Sequence, residues 1–169
     1  MKYLWNCFWL TVPILVMNVA LASRLPQAYQ PSFFWRDIPR SVAIGEKVSR
    51  TVLFLTLLLI PLSIATSRQR AGLALYAVGV LIYFGAWAMQ IWFPQAEWSR
   101  SRLGFMAPAW TPAGWLAGIA LLGDNLYVGM TYHPWMFLAL SLVFLMFHNA
   151  HVAIVYSRIH TQLPSARIE

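Results

Sequence analysis

Acidic residues are scarce: five of the 169 residues are Asp or Glu, against twelve Lys or Arg. Cysteine occurs once, at position 7, which excludes an intrachain disulfide, a CxxC redox pair and any multi-cysteine metal site. No histidine or acidic side chain lies near Cys7 in sequence, so it reads as a buried packing thiol rather than a nucleophile. There is no P-loop, GxGxxG, GxSxG elbow, HExxH pair or CaaX end. Nucleotide hydrolysis, dinucleotide redox chemistry, serine hydrolysis, zinc proteolysis and prenylation therefore have no support.

Charge is also missing from five long apolar runs, residues 4–22, 51–66, 72–93, 105–123 and 134–157, none of which contains Asp, Glu, Lys or Arg. With 60% of the chain apolar and 10% charged, a soluble domain is excluded. Each run suits a bilayer crossing, for which ~30 Å of hydrocarbon needs roughly 20 helical residues. The expectation is an all-α integral membrane protein, residues 1–169 forming one compact bundle of five transmembrane helices. No internal repeat, low-complexity stretch or flexible linker divides it.

A net charge of +7 would suggest nucleic acid in a soluble chain, but here the basic residues sit in short connections and read as topology determinants, so no nucleic-acid partner is expected. Arg24, Arg36, Arg40, Lys47, Arg50, Arg100, Arg102, Arg158 and Arg167 fall on one side if all five runs cross. Lys2, Arg68 and Arg70 fall on the other. The multi-pass protein should then have its amino terminus outside and its carboxyl terminus in the cytoplasm. Lys2, the first run and Ala20-Leu21-Ala22 resemble a secretory signal, yet the run is longer than a usual signal core and Arg24 follows at once, so an uncleaved helix is expected.

The first connection mixes Pro26, Tyr29, Pro31, Phe33, Phe34, Trp35 and Pro39 with Arg36, Asp37 and Arg40. That composition fits an aromatic and basic segment lying in the headgroup region. Ser41 to Arg50 suits a helical lead-in to the second run, with Ser41 as cap. In the fourth run Pro108 and Pro112 predict a break near its beginning, while Gly114 and Gly118 form a GxxxG pair, a helix–helix contact inside the bundle or with a partner.

The most informative polar residues inside the runs are Asn18, Gln90, His148, Asn149 and His151. They are costly in hydrocarbon unless paired, and the orientation above puts all of them in the cytoplasmic half, with Asn18, Gln90, His148 and His151 expected to face the bundle interior. His148 and His151 are three apart, hence on one helix face and ~4.5 Å apart along the axis. Glu46 and Arg50, four apart, can pair at the same level; Glu97 is a second carboxylate on that side.

Histidine titrates near neutrality and can hold a proton on either nitrogen. The preferred function is therefore binding of a lipid-like or isoprenoid apolar molecule in an inner-leaflet polar cavity, open to conversion by acid/base chemistry. In it His148, His151 and Glu46 are the catalytic candidates. Asn18, Gln90 and Asn149 orient the polar end of the molecule, and Arg50, Arg100 and Arg102 hold any anionic headgroup. No metal site is expected, since His-x-x-His alone is a weak ligand pattern, and no cofactor is indicated. The alternative is a noncatalytic accessory or packing subunit of a larger membrane complex, with the polar residues acting as interhelical hydrogen bonds. A proton-coupled transporter ranks lower, because no carboxylate lies in a run and no inverted repeat is visible.

Overall fold

The computed structural model describes residues 2–162; Arg167, counted above among the basic residues of one side, lies outside the described residues. Among those residues the fold is all-helical, with no strand beyond two isolated bridges. Eight α-helices follow one another: α1 Val12–Leu21, α2 Pro31–Phe34, α3 Arg40–Leu59, α4 Ser67–Trp92, α5 Glu97–Arg100, α6 Arg102–Trp110, α7 Pro112–Ala120 and α8 Pro134–Gln162. Three stretches are long and apolar enough to cross a membrane: Cys7–Arg24, Ser67–Trp92 and Pro134–Thr161.

Proline accounts for most departures from five uninterrupted runs. The first run opens as a tighter 3-10 turn, Cys7–Thr11, capped by Asn6, whose side chain accepts from the Phe8 N–H at 3.1 Å. The regular helix starts around Pro13, where the missing N–H falls among the unpaired donors of a first turn. The second helix begins at Arg40, eleven residues before the apolar run, with Pro39 rather than Ser41 at its cap. It ends at Leu59 instead of continuing to Thr66, because Ile60 precedes Pro61 and takes an extended conformation. The freed backbone pairs with the amino-terminal segment: Cys7 N–H donates to the Ile60 carbonyl at 2.9 Å and Leu62 N–H to that of Trp5 at 3.1 Å.

The third helix starts five residues before the apolar run. Thr66 and Gln69 form a reciprocal capping box that carries Arg68 and Arg70 into its first turn. The expected fourth span is two short helices. Backbone torsions stay helical through Thr111, but Pro112 has no N–H for the Pro108 carbonyl, so the hydrogen-bond ladder is interrupted there.

Two ends of the bundle are tied separately. At one end Arg68 pairs with Asp124 and donates to the Gly123 carbonyl at 2.8 Å, while the buried Gln69 side chain donates to the Leu122 carbonyl at 3.0 Å. At the other end Gln90 donates to the Gly104 carbonyl at 2.8 Å, and the buried Tyr29 hydroxyl donates to that of Phe105 at 2.6 Å.

Between these ends α4 and α7 pack backbone to backbone. A Cβ built on Gly118 would lie 2.7 Å from the Gly72 carbonyl oxygen, and one on Gly79 would lie 2.6 Å from the Gly114 carbonyl carbon. The GxxxG pair thus meets a glycine face of the same chain, as small residues permit. Tyr76, Val80 and Tyr83 of α4 join Leu53 and Leu57 of α3, Trp115, Leu116 and Ile119 of α7, and Phe137 and Phe144 of α8 in the main core.

Candidate functional site

The site is assembled where α3 and α8 cross. Gly45 permits the approach, since a Cβ there would lie 2.5 Å from the Phe147 ring. One position further on, Glu46 is fully buried before the apolar stretch of its helix begins. Its Oε1 accepts from Arg50, one turn along the same helix, and from His148 Nδ1 at 2.9 Å. Its Oε2 meets His151 Nδ1 at 2.5 Å. The helical spacing of three thus lets both histidines grip the two oxygens of one carboxylate. Donors from His148, His151 and Arg50 thus satisfy both oxygens of a carboxyl that burial would otherwise leave without partners.

The two histidines have different surroundings. His151 is fully buried. Its Nε2 is 3.0 Å from the Phe34 carbonyl oxygen, and the rings of Phe34 and Trp35 lie 4.2 and 4.5 Å from its own. The segment carrying those rings is fastened to α8 by Arg158, which donates to the Phe33 carbonyl at 2.6 Å and also to that of Arg36. His148, by contrast, is only partly buried, stacks on Phe144 and has no partner at Nε2 among the described residues. Holding Nδ1–H against a carboxylate fixes the imidazole tautomer and leaves Nε2 as the atom able to take up a proton.

His148 and Arg50 form part of the wall of a cavity of about 280 Å³. The rest is mainly apolar and aromatic: Ile14, Leu53, Trp87, Phe105, Trp115 and Phe144 contribute from six helices. Asn18 also lines it, accepting from the Tyr83 hydroxyl at 3.0 Å, although its side chain lies on the exposed side of α1 and not in the bundle interior as expected. The reason is that α1 is peripheral and buries only Ile14.

Other candidates stand apart from the cavity. Gln90 is buried, and its amide donates to the backbone carbonyls of Ser99 and Gly104. Asn149 donates to the Ala109 and Leu145 carbonyls at 3.1 and 2.8 Å. Arg100, Arg102 and Glu97 are exposed at the short helices after α4.

A metal would find little to bind. His151 has both nitrogens engaged, so it offers no lone pair without breaking a contact, and no metal-holding group of three or more His, Cys, Asp or Glu occurs among the described residues. Sequence reasoning missed the Phe34 carbonyl, Tyr83, Trp115 and Gly45. Only the aromatic richness of the first connection hinted at the first of these. The chain matches no family model, no curated protein and no solved structure, so function rests on this geometry.

Proposed function

We propose that the protein is a five-span membrane protein that binds an apolar or amphipathic molecule, lipid-like or isoprenoid, among its helices. Besides the three stretches already apolar enough to cross, α3 has 20 residues and about 30 Å of length, while α6 and α7 together cover a further crossing. Basic residues concentrate at the end where Arg36, Arg40, Lys47, Arg50, Arg100, Arg102 and Arg158 lie, which favours a cytoplasmic placement of that end, an outside amino terminus and an inner-leaflet cavity.

The observation that carries the reading is the cavity itself: an apolar chamber with one polar corner, where Arg50 and His148 both rest on a buried carboxylate. In that corner His148 Nε2 takes a proton from the polar end of the molecule or returns one, and Glu46 stabilises the imidazolium that forms. Arg50 holds the headgroup. Asn18 and Tyr83 form a second polar contact, whereas His151 keeps Glu46 in place. Acid/base conversion of the bound molecule follows from the same atoms.

The test is the identity of what copurifies. Protein isolated in mild detergent is expected to carry an amphiphile detectable by mass spectrometry. Leu15→Trp, which enlarges a half-exposed side chain on the cavity wall, should lose it while keeping its helical content and melting temperature. An empty cavity in both proteins would defeat the reading and favour the noncatalytic accessory subunit.

A further inference from the structure

We infer that the molecule held in the cavity carries an anionic headgroup, a carboxylate or a phosphate, an inference that rests on the binding reading above. A count of hydrogens leads to it. His151 has an acceptor at each ring nitrogen, Glu46 Oε2 at 2.5 Å from Nδ1 and the Phe34 carbonyl oxygen at 3.0 Å from Nε2. A backbone carbonyl can only accept, so Nε2 bears a hydrogen. The contact with Oε2 needs one more hydrogen, whether it sits on nitrogen or on oxygen. In either arrangement Glu46 and His151 together have no net charge.

Arg50 remains protonated and donates to Glu46 Oε1, so the three groups together carry one net positive charge. Among the described residues no other carboxylate lines the cavity. Asp37 pairs with Arg36, Asp124 pairs with Arg68, and Glu97 is exposed at the start of α5. His148 gives its Nδ1 hydrogen to Glu46 Oε1 and can only add positive charge. The cluster of Glu46, His151 and Arg50, with Arg50 steadied against the Phe144 ring 5.6 Å away, thus places one net positive charge on the wall of an apolar chamber.

The neutral polar groups of the wall point to the same chemistry. Asn18 uses its oxygen to accept from Tyr83, which leaves its amide N–H groups without a partner among the described residues. The Trp115 indole N–H, a pure donor, is buried and also lacks a partner there. A surplus of donors beside a net positive charge selects an acceptor-rich anion over an alcohol or an amine.

The experiment compares four twelve-carbon probes, dodecanoate, dodecyl phosphate, dodecanol and dodecylammonium, titrated at neutral pH against the full chain in zwitterionic nanodiscs, with bound fractions read by native mass spectrometry. The two anions should bind at least about tenfold more tightly than the alcohol, the difference expected of one charge-assisted hydrogen bond. Whichever anion is tighter identifies the headgroup. Arg50→Gln should bring the anion-to-alcohol ratio close to one, and Arg50→Lys, which keeps the charge, should preserve most of it. Equal binding of alcohol and anions, or preference for the amine, would overturn the anion assignment while leaving the cavity reading intact. Failure of all four probes to bind would overturn both.

Discussion

His148 and His151 look equivalent in sequence, but their surroundings assign them different work. Removing His151 leaves Glu46 Oε2 and the Phe34 carbonyl without their donor inside the protein, whereas removing His148 leaves Glu46 still held by Arg50 and His151. Thermal unfolding in detergent should therefore show His151→Ala costing about 3–5 kcal/mol, since a buried ring is lost and two buried acceptors, one of them a carboxylate oxygen, lose their donor. His148→Ala should cost only about 1–2 kcal/mol. Histidine titrates across about pH 5 to 8, and of the two rings only that of His148 keeps a nitrogen without a partner among the described residues, on the wall of the cavity. Ligand binding that varies over this range should become flat in His148→Gln, and a variant that keeps the wild-type profile would remove the proton-transfer role. Spacing in the sequence revealed that the two histidines share a face. It did not reveal which one is sealed, because that depends on Phe34 and Trp35 arriving from more than a hundred residues away.

Glycine and proline decide how the elements meet. Gly118 faces the backbone of α4, where a Cβ would lie 2.6 Å from the Tyr76 Cα, whereas Gly85 on the exposed side of α4 has nothing within 4 Å. Gly118→Ala should destabilise by about 1–3 kcal/mol, because the neighbour is main chain and cannot rotate away. Gly85→Ala should stabilise by up to about 1 kcal/mol through helix propensity alone. Comparing both melting temperatures in one detergent checks the pair. The GxxxG signal in the fourth run was legible, as was the break between Pro108 and Pro112, since both follow from local chemistry. The early stop of α3 was legible in principle from Pro61. The apolar composition of residues 60–66 concealed it, because that segment lies extended along the amino terminus and contributes Ile60 to the core. The capping box at Thr66 and Gln69 was likewise present in the sequence, outside the apolar window that defined the run.

At the scale of the molecule, the apolar outer surface and the unequal ends are one consequence of a chain with few acids. Exposed Leu81, Ile82, Leu142 and Val143 lie on the outward faces of α4 and α8, where water would oppose them and lipid would not. The distribution of Lys and Arg then sets which end stays in the cytoplasm, because basic connections resist translocation. The end holding the first connection and the end holding the loop after α7 should accordingly lie on opposite sides of the membrane. Single cysteines introduced beside Arg40 and beside Asn125, in a Cys7→Ser background, provide the measurement. A membrane-impermeant maleimide applied to intact cells should label the site near Asn125 and spare the site near Arg40 until the cells are permeabilised. Labelling of the Arg40 site alone would invert the orientation and move the Glu46 corner to the outer leaflet, while labelling of both would show that the number of crossings between them is even. The first outcome would keep the cavity chemistry and change only which leaflet supplies the amphiphile. The second would remove one of the three, α3 or the paired α6 and α7, from the set of crossings.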